Sequence, residues 1–162
     1  MAHHKLILDD DFKEPFSLIA VHCSEEAYKM AYLLNKFIGL HLQRREVDLE
    51  YSNNGLEITF ALYEYENEMQ YTTYNLVANK CKSLVANVQS SSGLFSDTAS
   101  ETVTTYLLPE YKKVDFFLKI SSDFELIPIR KLVAGINEIK QVISAYVIDT
   151  ESVKSKSNLI FD

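Results

Sequence analysis

Two stretches of this chain repeat apolar residues at helical spacing, and most of the remainder alternates or runs continuously apolar, as strands do. Ala27, Met30, Ala31, Leu34, Phe37 and Ile38 recur every three or four residues, which predicts an amphipathic helix over about 24–38. Ser24 precedes it as an N-cap, Glu25 and Glu26 occupy the first turn, and Gly39 stands where a left-handed C-cap belongs. A second stripe, Ile129, Leu132, Val133, Ile136 and Ile139, follows Ser121-Ser122-Asp123, with Pro128 suited to a first turn.

The strand pattern is more varied. Residues 5–8 suggest a short edge strand that Asp9-Asp10-Asp11 breaks. Phe16 to Cys23 is nearly all apolar, as expected of a strand covered on both faces. From Leu40 to Tyr51 the alternation changes phase, and a bulge near Arg44-Arg45 would reconcile its two halves. Ser52-Asn53-Asn54-Gly55 predicts a hairpin turn into a partner strand from Leu56 to Tyr65 with Leu56, Ile58, Phe60 and Leu62 on one face. Glu66-Asn67-Glu68 turns the chain into a third strand, Tyr71 to Lys80.

Pattern is then lost until Thr102, so residues 84–101 read as a mobile loop. Thr102 to Leu108 and Lys113 to Ile120 are strands joined by Pro109-Glu110; in the second, Val114, Phe116, Leu118 and Ile120 share one face and Asp115, Phe117 and Lys119 the other. Val142 to Ile148 is the last strand, and Ser155 to Asp162 is a polar tail with an apolar tip, Leu159-Ile160-Phe161. This order predicts an α+β fold with a mostly antiparallel sheet and two helices. Two strand–helix–strand units would form a ferredoxin-like core with inserted strands. Residues 1–162 are expected to form one domain, with flexible ends expected at 1–5 and 155–162.

Composition narrows the function classes. A hydrophobic content of 47% supports a core, while the formal charge of −7 repels a phosphate backbone on average. Nucleic-acid binding would need a basic patch, and Arg44-Arg45, Lys80-Lys82, Lys112-Lys113 and Lys154-Lys156 cluster only weakly. Cys23 and Cys81 imply no disulfide framework, Asp9-Asp10-Asp11 interrupts any signal-peptide core, and no apolar run is long enough to span a membrane. A reduced, cytoplasmic protein is the expectation. Gly39, Gly55, Gly93 and Gly135 are too scattered for a phosphate loop or dinucleotide fingerprint, so no cofactor is expected. His3, His4, His22, His41, Cys23 and Cys81 share no metal-ligand spacing.

Leu108-Pro109-Glu110, three residues, then Val114-Asp115-Phe116 resembles the signature of the bacterial IPExxxVDY family. Similar stretches lie at Leu6 to Asp10, Tyr32 to Lys36, Thr105 to Lys113 and Lys154 to Phe161, so the resemblance runs over nearly the whole chain. Leu108 stands where the family has Ile, and Phe116 where it has Tyr. The second change removes a hydroxyl, so no acid or nucleophile role is carried to that position. No activity is attached to the family, so the resemblance implies no reaction.

Glu110 and Asp115 are the motif carboxylates. They read either as an acid–base pair or as structural groups, Glu110 bracing the turn and Asp115 pairing with a cross-strand Lys, Arg or Tyr. Cys23 at a strand-to-helix junction could be an activated thiol with His22 beside it, but adjacent strand residues point to opposite faces, and Cys is commonly interior. Tyr63, Tyr65, Tyr71 and Tyr74 concentrate on the middle hairpin, as an interaction surface or as a cross-strand aromatic ladder. The functional expectation is a non-enzymatic domain that binds a protein partner or a small ligand, with homodimerisation through an open sheet as one form. The alternative is an enzyme using Glu110, Asp115, Cys23 or His22. A third reading is an RNA-associated accessory protein presenting Arg44, Arg45, Lys80 and Lys82 on one face.

Overall fold

Phe16–Cys23 forms β1, and the uninterrupted apolar run has the consequence expected of it: Leu18, Ile19, Ala20 and Val21 are all fully buried, alternately on two faces of a sheet. The computed structural model of the chain describes residues 15–53, 56–85, 101–123 and 127–161. The expected strand at 5–8, residues 1–5, Asn54-Gly55 and most of the 84–101 loop lie outside the described residues. After β1 come α1 (Ala27–Ile38), β2 (Gln43–Arg44), β3 (Leu49–Asn53), β4 (Leu56–Phe60), β5 (Leu62–Asn67), β6 (Thr72–Ala78), β7 (Lys80–Val85), β8 (Glu101–Tyr106), β9 (Phe116–Ser122), α2 (Ile129–Asn137) and β10 (Val142–Ile148). Single 3₁₀ turns cover Pro109–Tyr111, Thr150–Ser152 and Lys156–Leu159.

The fold is α+β. Its main sheet has the order β10-β1-β9-β6-β5-β2, and every neighbouring pair is antiparallel. β9 and β10 therefore run parallel with β1 between them, and α2 carries the chain across. A ferredoxin-like sheet has a parallel central pair; here β1 and β9 are antiparallel, Phe16 facing Ser121 and Val21 facing Phe116, so that finer expectation is not met. The β3–β4 and β7–β8 pairs stand apart as two-stranded ribbons.

Both faces of the main sheet are covered. On one, Ile19, Val21, Leu76, Phe116, Leu118 and Ile120 pack with Met30, Leu34 and Ile136 of the helices. On the other, Leu18, Ala20, Val77 and Phe117 pack beneath Ile58 and Phe60 of β4, Leu107, Leu108 and Val114, and Val153 and Leu159 of the C-terminal segment. Val114 thus faces away from Phe116, because it precedes the strand and lies in the loop that crosses the second face.

Other departures have local causes. The phase change in Leu40–Tyr51 is a break between two sheets rather than a bulge: β2 pairs with β5, and β3 pairs with β4. Leu56–Tyr65 breaks likewise at Ala61. The first helix begins at Ala27, with Glu26 as an N-cap that makes no side-chain bond. Cys23 is still paired with Val142 in the sheet, so residues 24–26 are used to leave it. Gly39 ends the helix at φ 83°, as expected. The tail is docked instead of loose. Leu159 is buried, and Lys119 Nζ donates to the Leu159 carbonyl at 2.8 Å, Asn158 Nδ2 to that of Leu107 at 2.8 Å and Arg45 Nη1 to that of Phe161 at 2.7 Å.

Two asparagines make the same paired bonds near opposite edges of the sheet. Asn35, in the last turn of α1, donates to the Leu42 carbonyl at 3.0 Å and accepts from its N–H at 2.8 Å. Asn137, the last residue of α2, donates to the Ala145 carbonyl at 2.9 Å and accepts from its N–H at 2.8 Å.

Candidate functional site

The segment from Leu107 to Asp115 returns the chain from the β7–β8 ribbon to β9, and its carboxylates are committed to backbone. Glu110 Oε1 accepts from the N–H groups of Lys154 and Ser155, each at 2.9 Å, and Oε2 from the Ser155 hydroxyl at 3.0 Å. Asp115 Oδ2 accepts from the Cys23 N–H at 2.9 Å, and Oδ1 pairs with Lys80 Nζ at 3.0 Å. One motif acid fastens the C-terminal tail; the other fastens the β1–α1 junction.

Burial pushes the Glu110 carboxyl up, but hydrogen bonds from the N–H groups of Ser155, Glu110 itself and Lys154 and from the Ser155 hydroxyl outweigh it and hold the group below the usual carboxylate range. A folded value below the unfolded one stabilises the protein above the unfolded range, and that contribution is lost as pH falls through the folded value. Glu110→Ala is expected to speed amide exchange across residues 150–161 and to lower stability by about 1–2 kcal/mol, most of the group being solvent-screened. Acidification is expected to remove the difference in tail protection between wild type and variant, compared at equal pH; a tail equally protected in both proteins at neutral pH would refute the assignment.

Cys23 is 1% exposed and its thiol is pushed up, first by burial and further by the charges of Glu25 and Asp115, against a backbone hydrogen bond at Glu25 and the charge of Lys29 that draw it down. It is therefore a core thiol rather than an activated one. N-ethylmaleimide is expected to leave Cys23 unmodified in a folded Cys81→Ser variant and to label it fully in denaturant, read by intact mass. Rapid labelling of the folded variant would contradict the buried placement. His22 lies on the opposite face, its Nε2 3.0 Å from the Tyr146 hydroxyl. Asp115 thus meets Cys23 only through a backbone N–H, Glu110 serves the tail, and His22 serves Tyr146, so these four side chains have separate partners.

Sequence reasoning missed Asn79, whose side chain is fully buried. It sits where the chain leaves β6 for β7. Nδ2 donates to the carbonyls of Tyr111 at 2.8 Å and Val114 at 2.9 Å, and Oδ1 accepts from the Leu108 N–H at 2.9 Å. The Asn79 N–H donates to the Asp115 carbonyl at 2.9 Å and its carbonyl accepts from Leu107 at 2.8 Å. A signal was available: Asn79 ends the apolar run Leu76-Val77-Ala78 just before Lys80, and Asn is depleted within strands.

The four tyrosines do not form one surface. Tyr63 and Tyr74 are 8% and 7% exposed and belong to the helix-side core, Tyr65 is half-buried, and Tyr71 is 62% exposed at φ 48° in the turn before β6. The open sheet face expected for a homodimer is filled by helices, because Tyr63, Tyr65 and Tyr74 point to the side that α1 and α2 cover. The aromatic ladder is present instead: Tyr65 stacks on Tyr74 with centroids 5.7 Å apart and planes at 15°, and His41 meets Tyr65 edge-on at 5.3 Å.

That ladder floors a groove of about 430 Å³ between the C-terminal end of α1, the N-terminal half of α2 and the β5–β6 end of the sheet. Phe37, Ile38 and Leu40 form one wall, Ile127, Leu132 and Gly135 the other, and Asn67, Gln70, Thr72 and Lys131 bring polar groups to it. Gly135 lets the helices approach, since a Cβ there would meet Ile38 Cδ1 at 3.0 Å. The Asn67 and Gln70 amides bond each other at 3.1 Å, and the Thr72 hydroxyl donates to the Gln70 carbonyl at 2.9 Å. The Tyr74 hydroxyl has no protein partner among the described residues, and burial and the neighbouring Tyr65 raise its proton affinity.

Of the basic residues proposed to meet RNA, Arg44 pairs with Asp48 at 2.9 Å, Arg45 lies 3.8 Å from Glu64, and Lys80 holds Asp115. Among the described residues no three His, Cys, Asp or Glu side chains are grouped to hold a metal ion, and no helix is long and apolar enough to cross a membrane. Comparison of the chain with protein-family models, curated proteins and solved structures finds no match.

Proposed function

We propose that this chain is a non-enzymatic binding domain of the cytoplasm that holds a small ligand in the groove beside Tyr65 and Tyr74. The observation that carries this reading is the groove itself. Its volume of about 430 Å³ lies within the roughly 300–1,000 Å³ of small-molecule sites, and it joins apolar walls to a few polar groups. Two of the tyrosines singled out from sequence line it, so the aromatic ladder and the binding role are readings of the same side chains. The enzyme alternative has less support, because Glu110 and Asp115 are spent on backbone N–H groups and Cys23 is buried. Membership of the IPExxxVDY family belongs to the same proposal and rests on the residues from Leu108 to Phe116.

The test is a titration of isotope-labelled protein with two planar probes, 2-naphthol and 2-naphthoate, followed by amide shifts. Saturable shifts at Gly39, Leu40, Tyr65, Leu132 and Gly135 from either probe are expected. Shifts from neither, or shifts confined to the opposite face of the sheet, would overturn the proposal.

A further inference from the structure

Building on the groove as a ligand site, we infer that its ligand is a planar aromatic carboxylate. Three observations converge. First, among the described residues no Asp or Glu lines the groove, although the chain carries a formal charge of −7. Lys131 is the charged residue in its lining, and it makes no ion pair or hydrogen bond with any described residue. Lys36 lies outside the lining, with its Nζ 5.3 Å from the ring centroid of Phe37, which does line the groove. The helix ends do not decide the sign, because α1 presents its C-terminus to the groove and α2 its N-terminus, and their dipoles oppose. Charge selection falls to Lys131.

Second, Tyr74 is only 7% exposed, lines the groove and carries a hydroxyl without a partner among the described residues. Since no buried side-chain polar atom among the described residues lacks a partner, this hydroxyl is open to the groove, where it can donate to a molecule that enters. Tyr74 and Lys131 together offer a neutral donor and an ammonium, a set that suits a carboxylate. Third, the stacked pair Tyr65–Tyr74 and the half-exposed ring of Phe37 provide aromatic contact area. Planar rings favour offset or edge-on contact with such side chains.

The experiment compares 2-naphthoate with its neutral isostere 2-naphthamide by amide-shift titration on the full chain. Wild-type protein is expected to bind the carboxylate about five- to tenfold more tightly, a ratio that shrinks as salt is raised. In Lys131→Met the ratio is expected to fall to about one, with amide affinity unchanged; Lys131→Arg is expected to keep the preference, as is Lys140→Met, which removes a lysine outside the groove. Equal wild-type affinities would overturn the carboxylate assignment while leaving the groove as a site. A preference that survives in Lys131→Met would overturn the role of Lys131. Absence of groove shifts with both probes would overturn the ligand site itself.

Discussion

Phe117→Ala is expected to destabilise the protein by about 4 kcal/mol, read as a fall in the urea midpoint at unchanged slope. Phe117 is fully buried in the middle of the sheet, facing Ala20 on β1 and Val77 on β6. Its ring lies edge-on to Tyr111 at 6.2 Å. Above it are Leu107, Leu108 and Val114, and beyond these the C-terminal Val153 and Leu159. Truncation removes a ring from between two layers that are held apart by their own backbones, so the space collapses only in part. Phe117→Leu fills most of that space and is expected to lose about 1.5 kcal/mol. The size of the Ala effect discriminates between architectures. An open second face would leave Phe117 solvated, and the loss would then be under about 1 kcal/mol.

Asn79→Ala is expected to lower stability by about 3 kcal/mol, although it deletes only an amide. The Leu108 N–H and the carbonyls of Tyr111 and Val114 each lose the partner they have in Asn79. An unmatched group of this kind costs about 1–3 kcal/mol when it stays buried. Asn79→Asp separates the two halves of the amide. It keeps an acceptor for Leu108 but turns a charged oxygen on two carbonyls. At neutral pH this variant is expected to be less stable than Asn79→Ala, and to recover as pH falls. The sign follows from linkage: burial beside carbonyls raises the folded carboxyl value above the unfolded one, so protonation favours the folded state. Chemical denaturation at two pH values reads both effects. Stabilities of all three proteins within 1 kcal/mol of each other would remove Asn79 from the role assigned to it.

How far the sequence reveals this architecture depends on whether the constraint is local. β1 and β10 are legible to the residue, because an apolar run bounded by polar turns records its own ends. The left-handed Gly39 is legible for the same reason. The faces of Ile58, Phe60 and Leu62 are read correctly, yet the break at Ala61 is not, since alternation continues through it while the pairing partner changes. Phe117 shows the limit most clearly. Its strand reads as half-polar because Asp115 and Lys119 flank it. Both charges are accommodated by distant chain: Asp115 by Cys23 and Lys80, Lys119 by the Leu159 carbonyl and the rings of Phe16 and Phe161. The groove was legible only as a concentration of tyrosine. Its walls come from α1 and α2, whose meeting at Gly135 is a tertiary fact that no spacing records.

The paired amides of Asn35 and Asn137 bear on how large the sheet can become. A hydrogen-bonded sheet has no intrinsic last strand; each edge is a template for the next chain. β10 is an inviting template, because Val142–Ile148 contains no charge and no proline and leaves Ile143, Tyr146 and Val147 exposed. At Ala145, midway along it, the outward N–H and carbonyl already belong to Asn137, and at the other end Asn35 holds Leu42 before β2. Each helix thereby supplies one amide's worth of a seventh strand. An incoming strand from a neighbouring molecule must displace that amide before it can zip, so fibril growth is interrupted at the point where the register would be set.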